Sequence, residues 1–405
     1  MRALVDVKVV RMNTITLLIY LDACLHGYIS KERTPFLYRL TGEGFFGRIR
    51  TVPGFTQEAA MMTGEFPDKT DFFTWYRYSP NSSPFAWTRP LRLLKPLRRS
   101  RAYYPIKVGI RKVSSHIARR AYQDPAFIPL DILPYFEDIS ATLPKNLPDL
   151  ASICRASQHT CFQQSMIYGY IGSKRCGSIF GPVIESIESK NPFDFYIAHI
   201  GELDGLGHHY GPHPDFFSEF LKEIDLWLFK IYGSIRRKGL KCNLIIASDH
   251  GMFDVRSIVD IEKQLKSLFL KVPKDYIYFL DSTIARFWFS NDKAKNLIEE
   301  MLLRIPNGHI VSEEEKKRYH IDFKHNGYGN LWFWLDRGCM IFPNFFQSLK
   351  SSKTKGMHGY LDDEEGALIV YSDMKNTKSI ARNAARARTL HLTDVFRITR
   401  ALAGF

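Results

Sequence analysis

Residues 194–213 read DFYIAHIGELDGLGHHYGPH, and the reading of this stretch decides the fold. It opens with Phe195, Tyr196, Ile197 and Ile200, β-favouring and mostly apolar, which predict a strand. It then breaks into what reads as a glycine-rich turn carrying Asp204 and His208, with His209 and His213 close behind. A carboxylate and an imidazole four residues apart at the end of a buried strand are oxygen and nitrogen donors of the kind Zn²⁺ accepts. Taken alone, the pattern also fits a polar loop with a few surface histidines. A second stretch, NLIIASDHGM at 243–252, weighs against that, because it too runs from an apolar strand into an abrupt Asp249-His250-Gly251.

Working outward, TITLLIYL at 14–21 is a near-continuous apolar run ending in Asp22, the pattern of a strand buried on both faces of a parallel sheet. Helices are expected at 34–42 and at 214–236, where Phe217, Phe220, Leu221, Ile224, Leu228 and Ile231 form a stripe. A closing strand is expected at 367–372 and a last helix at 392–402. Two stretches do not fit the core pattern. Residues 76–190 are irregular, proline-rich and basic, and residues 255–345 look α+β, with strands at 284–289 and 331–335 and a helix at 293–303. Both are expected as insertions forming a cap. Asp22, Asp204 and Asp249 each follow the end of an apolar strand, the edge where ligands bind in open parallel sheets. Three carboxylates gathered there with His208 and His250 need cations to offset their repulsion. His358, between glycines in GMHGY at 356–360, would complete two coordination sets.

The chain has 405 residues, enough for one large α/β domain with insertions or for two domains. Hydrophobic residues make up 45% and aromatic residues 14%, as in an ordered globular protein. The net charge of +14 favours anionic partners. Six cysteines form no C-x-x-C pair and read as thiols of a reducing compartment. LDAC at 21–24 faintly resembles a lipoprotein cleavage box, but the apolar run before it is short, and it reads better as the first core strand. No run approaches the roughly 18 apolar residues of a membrane span. A cytoplasmic protein is expected, able to sit on a membrane surface.

The order of motifs resembles the alkaline phosphatase superfamily, in its type I phosphodiesterase/nucleotide pyrophosphatase branch. The matching pieces are IYLDA, GFTQEAAMMTGEFPD, DGLGHHYGP, SDHGM, MHGY and LTDVFRITRALAG, spread over nearly all of the chain. The resemblance implies a three-layer sandwich around a mostly parallel central sheet, with residues 1–405 as a single catalytic domain. It also implies two divalent ions, Zn²⁺ or Mn²⁺, with Asp204, His208 and His358 holding one and Asp22, Asp249 and His250 the other. Two such ions roughly 4 Å apart clamp the attacking and leaving oxygens of a displacement at phosphorus.

The nucleophile of that family is a Thr or Ser nine residues before the Thr of T-G. Here that count runs back from Thr63 to Gly54, which has no side chain. Thr56, two residues later, is the expected nucleophile through a small local shift, activated by metal and by the helix that follows. If Thr56 merely caps that helix, attack falls to a metal-bound hydroxide or the site is inactive. Gln57 stands near the place of a phosphate-contacting Asn and could donate to a phosphoryl oxygen. The implied function is a metal-dependent phosphoryl hydrolase, of phosphodiesterase or nucleotide pyrophosphatase type. A phosphoryl or phospho-headgroup transferase or mutase, and a non-catalytic metal- or anion-binding relative, remain as alternatives.

One stretch lies outside this scheme. Residues 89–120 hold eleven Lys or Arg and no acidic residue, with leucines interleaved. They read either as a solvated face of the cap or as a patch for an anionic membrane surface or substrate. No nucleic-acid-binding motif accompanies them.

Overall fold

A computed structural model describes residues 13–99, 104–118, 124–139, 147–157, 160–165, 176–347, 353–363, 365–386 and 389–405. Its main sheet takes its strands from distant parts of the chain: β1 (Thr14–Leu21), β2 (Phe45–Ile49), β3 (Cys161–Ser165), β4 (Phe195–Ile200) and β5 (Lys241–Ala247). The small sheet follows with β6 (Tyr276–Leu280), β7 (Ile284–Phe289), β8 (Gly308–Ile310) and β9 (Leu331–Leu335), and β10 (Gly366–Ser372) returns to the main sheet. The order in the main sheet is β2-β10-β5-β1-β4-β3. β1 pairs parallel to both β4 and β5, β3 pairs parallel to β4, and β10 runs antiparallel to β5 and β2. The sheet is therefore mostly parallel, as expected, with two antiparallel contacts at one side.

The apolar runs of β1, β4 and β5 have a direct cause. Leu17, Ile19 and Leu21 point to one core, shared with helices α1 (Pro35–Glu43), α3 (Gly177–Glu188) and α5 (Ser218–Arg237). Leu18 and Tyr20 point to the other, shared with α2 (Glu58–Thr63), α6 (Thr377–Ala385) and α7 (Asp394–Ala403). Both faces are covered, so alternate residues cannot be polar. This is a three-layer α/β sandwich. The helix stripe predicted at 214–236 becomes a short 3₁₀ turn, Pro214–Phe217, and then α5.

The stretch 76–190, expected as one cap insertion, divides in two. Tyr76, Phe85, Ile110, Ile128 and Phe136 share a core with the small antiparallel sheet β6-β7-β9-β8. Beyond Leu150 the chain belongs to the main layers: β3 is an edge strand beside β4, and α3 packs on α5. The edge position explains the miss, because the sequence of β3, CFQQS, lacks the apolar run of a central strand. Residues 255–345 contribute the rest of the small sheet and its core. Among the described residues, no helix is long and apolar enough to cross a membrane.

Candidate metal centre

β1 and β5 are register partners, with Tyr20 opposite Ala247, so Asp22 and Asp249 emerge side by side two residues further on. His250 follows Asp249, and its Nε2 lies 3.2 Å from Asp22 Oδ1 and 3.3 Å from Asp249 Oδ2. All three are buried. The Gly251 N–H donates to Asp363 Oδ2 at 2.8 Å, which fixes the loop just after His250.

The stretch after β4 is not the turn expected from its glycines. It is a helix, α4 (Glu202–Tyr210), and Asp204 and His208 stand one turn apart on the same face. His208 Nε2 lies 3.3 Å from Asp204 Oδ1, and His208 Nδ1 lies 2.8 Å from the Gly356 carbonyl oxygen. Close approach here depends on Gly356. A Cβ on Gly356 would stand 2.2 Å from the Gly207 carbonyl oxygen, so only a bare backbone lets the 356–359 loop lie against α4. That contact brings in His358, whose Nε2 is 3.5 Å from Asp204 Oδ1 and whose ring stacks on His250 at 3.7 Å. From the small sheet, Thr283 and Trp334 both donate to the Gly359 carbonyl oxygen, at 2.7 and 3.0 Å.

Two groups result, each with donor atoms within 4.8 Å of one another: Asp22, Asp249 and His250, and Asp204, His250 and His358. His250 belongs to both, and His208 joins the second through Asp204. His209 and His213 stay outside; His213 bonds Asp254 at 3.0 Å and His209 is exposed.

The electrostatics are those of a crowded, buried set. Burial pushes the Asp249 carboxyl up to about 7, helped by the Asp22 charge. Burial and the Asp204 charge also push Asp22 upward, but hydrogen bonds from His199 and His250 outweigh them and hold it low. Burial alone would lower His250, yet the Asp249 and Asp22 charges raise it well above the usual imidazole range. His358 goes the other way: burial, then the neighbouring His250 and His208 cations, hold it far below that range. Its ring is neutral, and its Nδ1 is buried without a hydrogen-bond partner among the described residues. Asp204 Oδ1 is likewise buried and lacks a well-aligned hydrogen bond.

Thr56 lies on a segment anchored to this cluster. The Thr51 hydroxyl donates to the Asp249 carbonyl, and the Phe55 ring meets His358 edge-on at 5.5 Å. Gly54 explains the departure from the family pattern. Its φ is +105°, and a Cβ there would stand 2.0 Å from the Phe73 carbonyl oxygen, so no side chain is tolerated. The Thr56 hydroxyl is buried, makes no capping bond to α2, and has no hydrogen-bond partner among the described residues. The Gln57 amide donates to the Gly54 carbonyl at 2.6 Å, bracing the same turn. Thr63 bonds the Ala59 carbonyl at 2.7 Å within its helix.

Sequence reading missed Tyr20, His199 and Asp363. Tyr20 and His199 sit inside apolar strands, and only strand register brings them under the carboxylates. A polar residue interrupting a buried strand was the available signal.

A family model described as type I phosphodiesterase / nucleotide pyrophosphatase matches residues 132–361. The fold matches human ectonucleotide pyrophosphatase/phosphodiesterase 5 with a TM-score of 0.64 at 15% identity, covering 96% of this chain and 95% of that one. It also matches the murine protein of the same name, an inactive threonine-to-alanine variant in complex with AMP, with a TM-score of 0.66 at 16% identity, covering 97% and 95%. No curated protein matches the sequence.

Proposed function

The chain belongs to the type I phosphodiesterase / nucleotide pyrophosphatase family and is a hydrolase of phosphoric ester bonds, and from that premise we propose a phosphodiesterase that attacks phosphorus with Thr56 beside two divalent cations. Asp22, Asp249 and His250 would hold one cation, and Asp204, His208 and His358 the other. The donor set fits: oxygens and imidazole nitrogens only, with a neutral His358 and an Asp204 oxygen that both lack good partners among the described residues. The family is generally dependent on divalent metal, and ions bound here would offset the charge that builds on the phosphoryl oxygens. We take Zn²⁺ as the ion, with Mn²⁺ as the second choice.

The observation that carries the reading is the Thr56 hydroxyl, buried and unpartnered among the described residues on a segment tied to the cluster. In the proposed reaction its oxygen bonds to phosphorus as the bond to the leaving alcohol breaks. The intermediate is a phosphodiester of Thr56 that keeps the substrate's other ester group, and water breaks its bond to Thr56, releasing a phosphomonoester. Gln57 holds the Gly54–Thr56 turn in place, and its second amide hydrogen is the one that could reach a phosphoryl oxygen. The related murine structure contains AMP, which supports nucleotide phosphodiesters as the first substrates to try. We further read the chain as one catalytic unit in which the small sheet caps the cleft. Its six free cysteines suit a cytoplasmic setting.

The test is a panel of nucleotide, sugar-nucleotide and lipid phosphodiesters, run with metal analysis and acid quenching. The reading expects two ions per chain, turnover of at least one diester, and the substrate's phosphoryl group, with its remaining ester, trapped on Thr56. Turnover with no covalent adduct on Thr56 would move the attack to a hydroxide. Turnover that depends on an added alcohol acceptor would favour a phosphoryl transferase.

A further inference from the structure

Tyr20 and His199 are direct register partners on the neighbouring parallel strands β1 and β4. Their rings stack at 4.0 Å, tilted by only 5°. Both are buried, in a layer of the sheet where the flanking positions are aliphatic. Stacking between register partners is a packing feature; what these two rings do at their polar ends is not. The Tyr20 hydroxyl donates to Asp249 Oδ2 at 2.6 Å, and His199 Nε2 lies 3.4 Å from Asp22 Oδ2. Each ring thus holds one of the two carboxylates of the group Asp22, Asp249 and His250. The Ala23 N–H holds the remaining Asp249 oxygen at 3.2 Å.

We propose that Tyr20 and His199 act as one stacked positioning pair that sets how Asp22 and Asp249 present their oxygens to a divalent cation. The inference rests on the metal reading given above and adds to it. Two carboxylates side by side repel, and each can turn about its last torsion to relieve that repulsion. A donor on one oxygen of each carboxylate stops the turn. With His199 on Oδ2, Asp22 is left facing His250 through Oδ1. Because the two rings stack with their centroids 4.0 Å apart, moving one disturbs the anchor of the other. Groups that orient metal ligands in this way typically change metal affinity by about 10- to 100-fold when removed. The pair touches neither His208 nor His358, so its influence falls on one of the two positions.

The experiment uses the full-length protein, stripped of metal and titrated with Zn²⁺ against a chromophoric chelator, and separately with Co²⁺ while its visible absorption is followed. Three variants suffice: Tyr20→Phe keeps the ring and removes the hydroxyl, His199→Phe keeps a stacked ring and removes the donor, and His199→Gln restores an amide donor. The wild type should bind two ions. Tyr20→Phe and His199→Phe should each weaken one of them by about 10- to 100-fold and change the Co²⁺ spectrum, leaving the other as it was. His199→Gln should recover much of the loss. Unchanged binding in both Phe variants overturns the proposal while leaving the metal reading intact. So does equal weakening of both ions, or a His199→Gln no better than His199→Phe, since either marks a general packing role. A wild type that binds no ion overturns the metal reading and this inference with it.

Discussion

The two halves of the centre are built differently. Asp22, Asp249 and His250 sit on the ends of adjacent parallel strands, fully buried, braced by stacked rings beneath and by Asp363 beside them. Asp204, His208 and His358 come from a helix and a loop, and main-chain carbonyls and the small sheet hold them. The His208 side chain is 30% exposed, against 3% for His250. One half is a feature of the sheet. The other depends on a backbone contact between α4 and the 356–359 loop, and on the small sheet, which grips that loop. The first should be rigid and slow to exchange its ion, and the second should be the adjustable side.

The largest expected effect separates the chemistry from both halves. Thr56→Ala should lower turnover on the order of 10⁴-fold while leaving two ions per chain. Steady-state kinetics with metal analysis checks it, and near-normal turnover would remove Thr56 from the reaction. Ligand variants then test the division itself. Asp249→Ala and Asp204→Ala should each leave about one ion per chain, and His250→Ala, shared by both groups, should loosen both. If Asp249→Ala and Asp204→Ala empty the same position, the two halves are not distinct. A chelator should likewise strip the helix-and-loop position first, giving two phases of metal release; a single phase would contradict the difference in burial.

A smaller effect concerns pH in the metal-free protein. Asp249, raised to about 7, and His250, raised above the imidazole range, both hold more protons folded than unfolded. Their contribution is present at acidic pH and is lost as pH rises through neutrality. Asp204 and His358 are lowered, so Asp204 favours the folded state as pH rises toward 3.8, well below neutrality, and His358 as it rises toward 6.5. Melting of the stripped protein should therefore fall by several degrees between pH 6 and 8, and Asp249→Asn should flatten the fall. A rise over that range would reverse the assignment.

The smallest effect lies away from the centre. In the basic stretch, residues 100–103 and 119–120 lie outside the described residues. In the remainder Leu91, Leu94 and Ile110 turn inward to the cap core, Arg89, Arg92 and Lys112 turn outward, and Leu93 is 81% exposed. Arg111 is already paired with Asp124. Weak, salt-sensitive sedimentation with anionic vesicles is expected, and none with neutral ones. Equal binding to both would leave this face as ordinary surface.

The strand-borne half was legible because a buried parallel strand announces itself as an apolar run, and an Asp that ends one is conspicuous. The D-x-x-x-H spacing was legible too, but its glycines read as a turn when they lie within a helix, and the contact that brings in His358 rests on Gly356, far away in sequence. Nothing local to Gly207 or Gly356 reveals that contact. Thr283 and Trp334 were invisible for the same reason, since their partner is far away in sequence, while Tyr20 and His199 showed only as polar residues interrupting buried strands. The edge strand β3 was lost because an edge does not need apolar residues on every position.

The strand order β2-β10-β5 has a consequence for synthesis. β2 (Phe45–Ile49) is made roughly 300 residues ahead of the strand it pairs with, Gly366–Ser372. At about 5–20 residues per second, the roughly 300 intervening residues keep β2 without its neighbour for about 15–60 s. For that time the nascent chain carries an unpaired strand edge, and the parallel strands around it cannot form a covered sheet. The cap has the same delay, because its core draws on both Tyr76 and Phe345. The main sheet is therefore closed only once Gly366–Ser372 has been made, and both β2 and the small-sheet core wait for late parts of the chain.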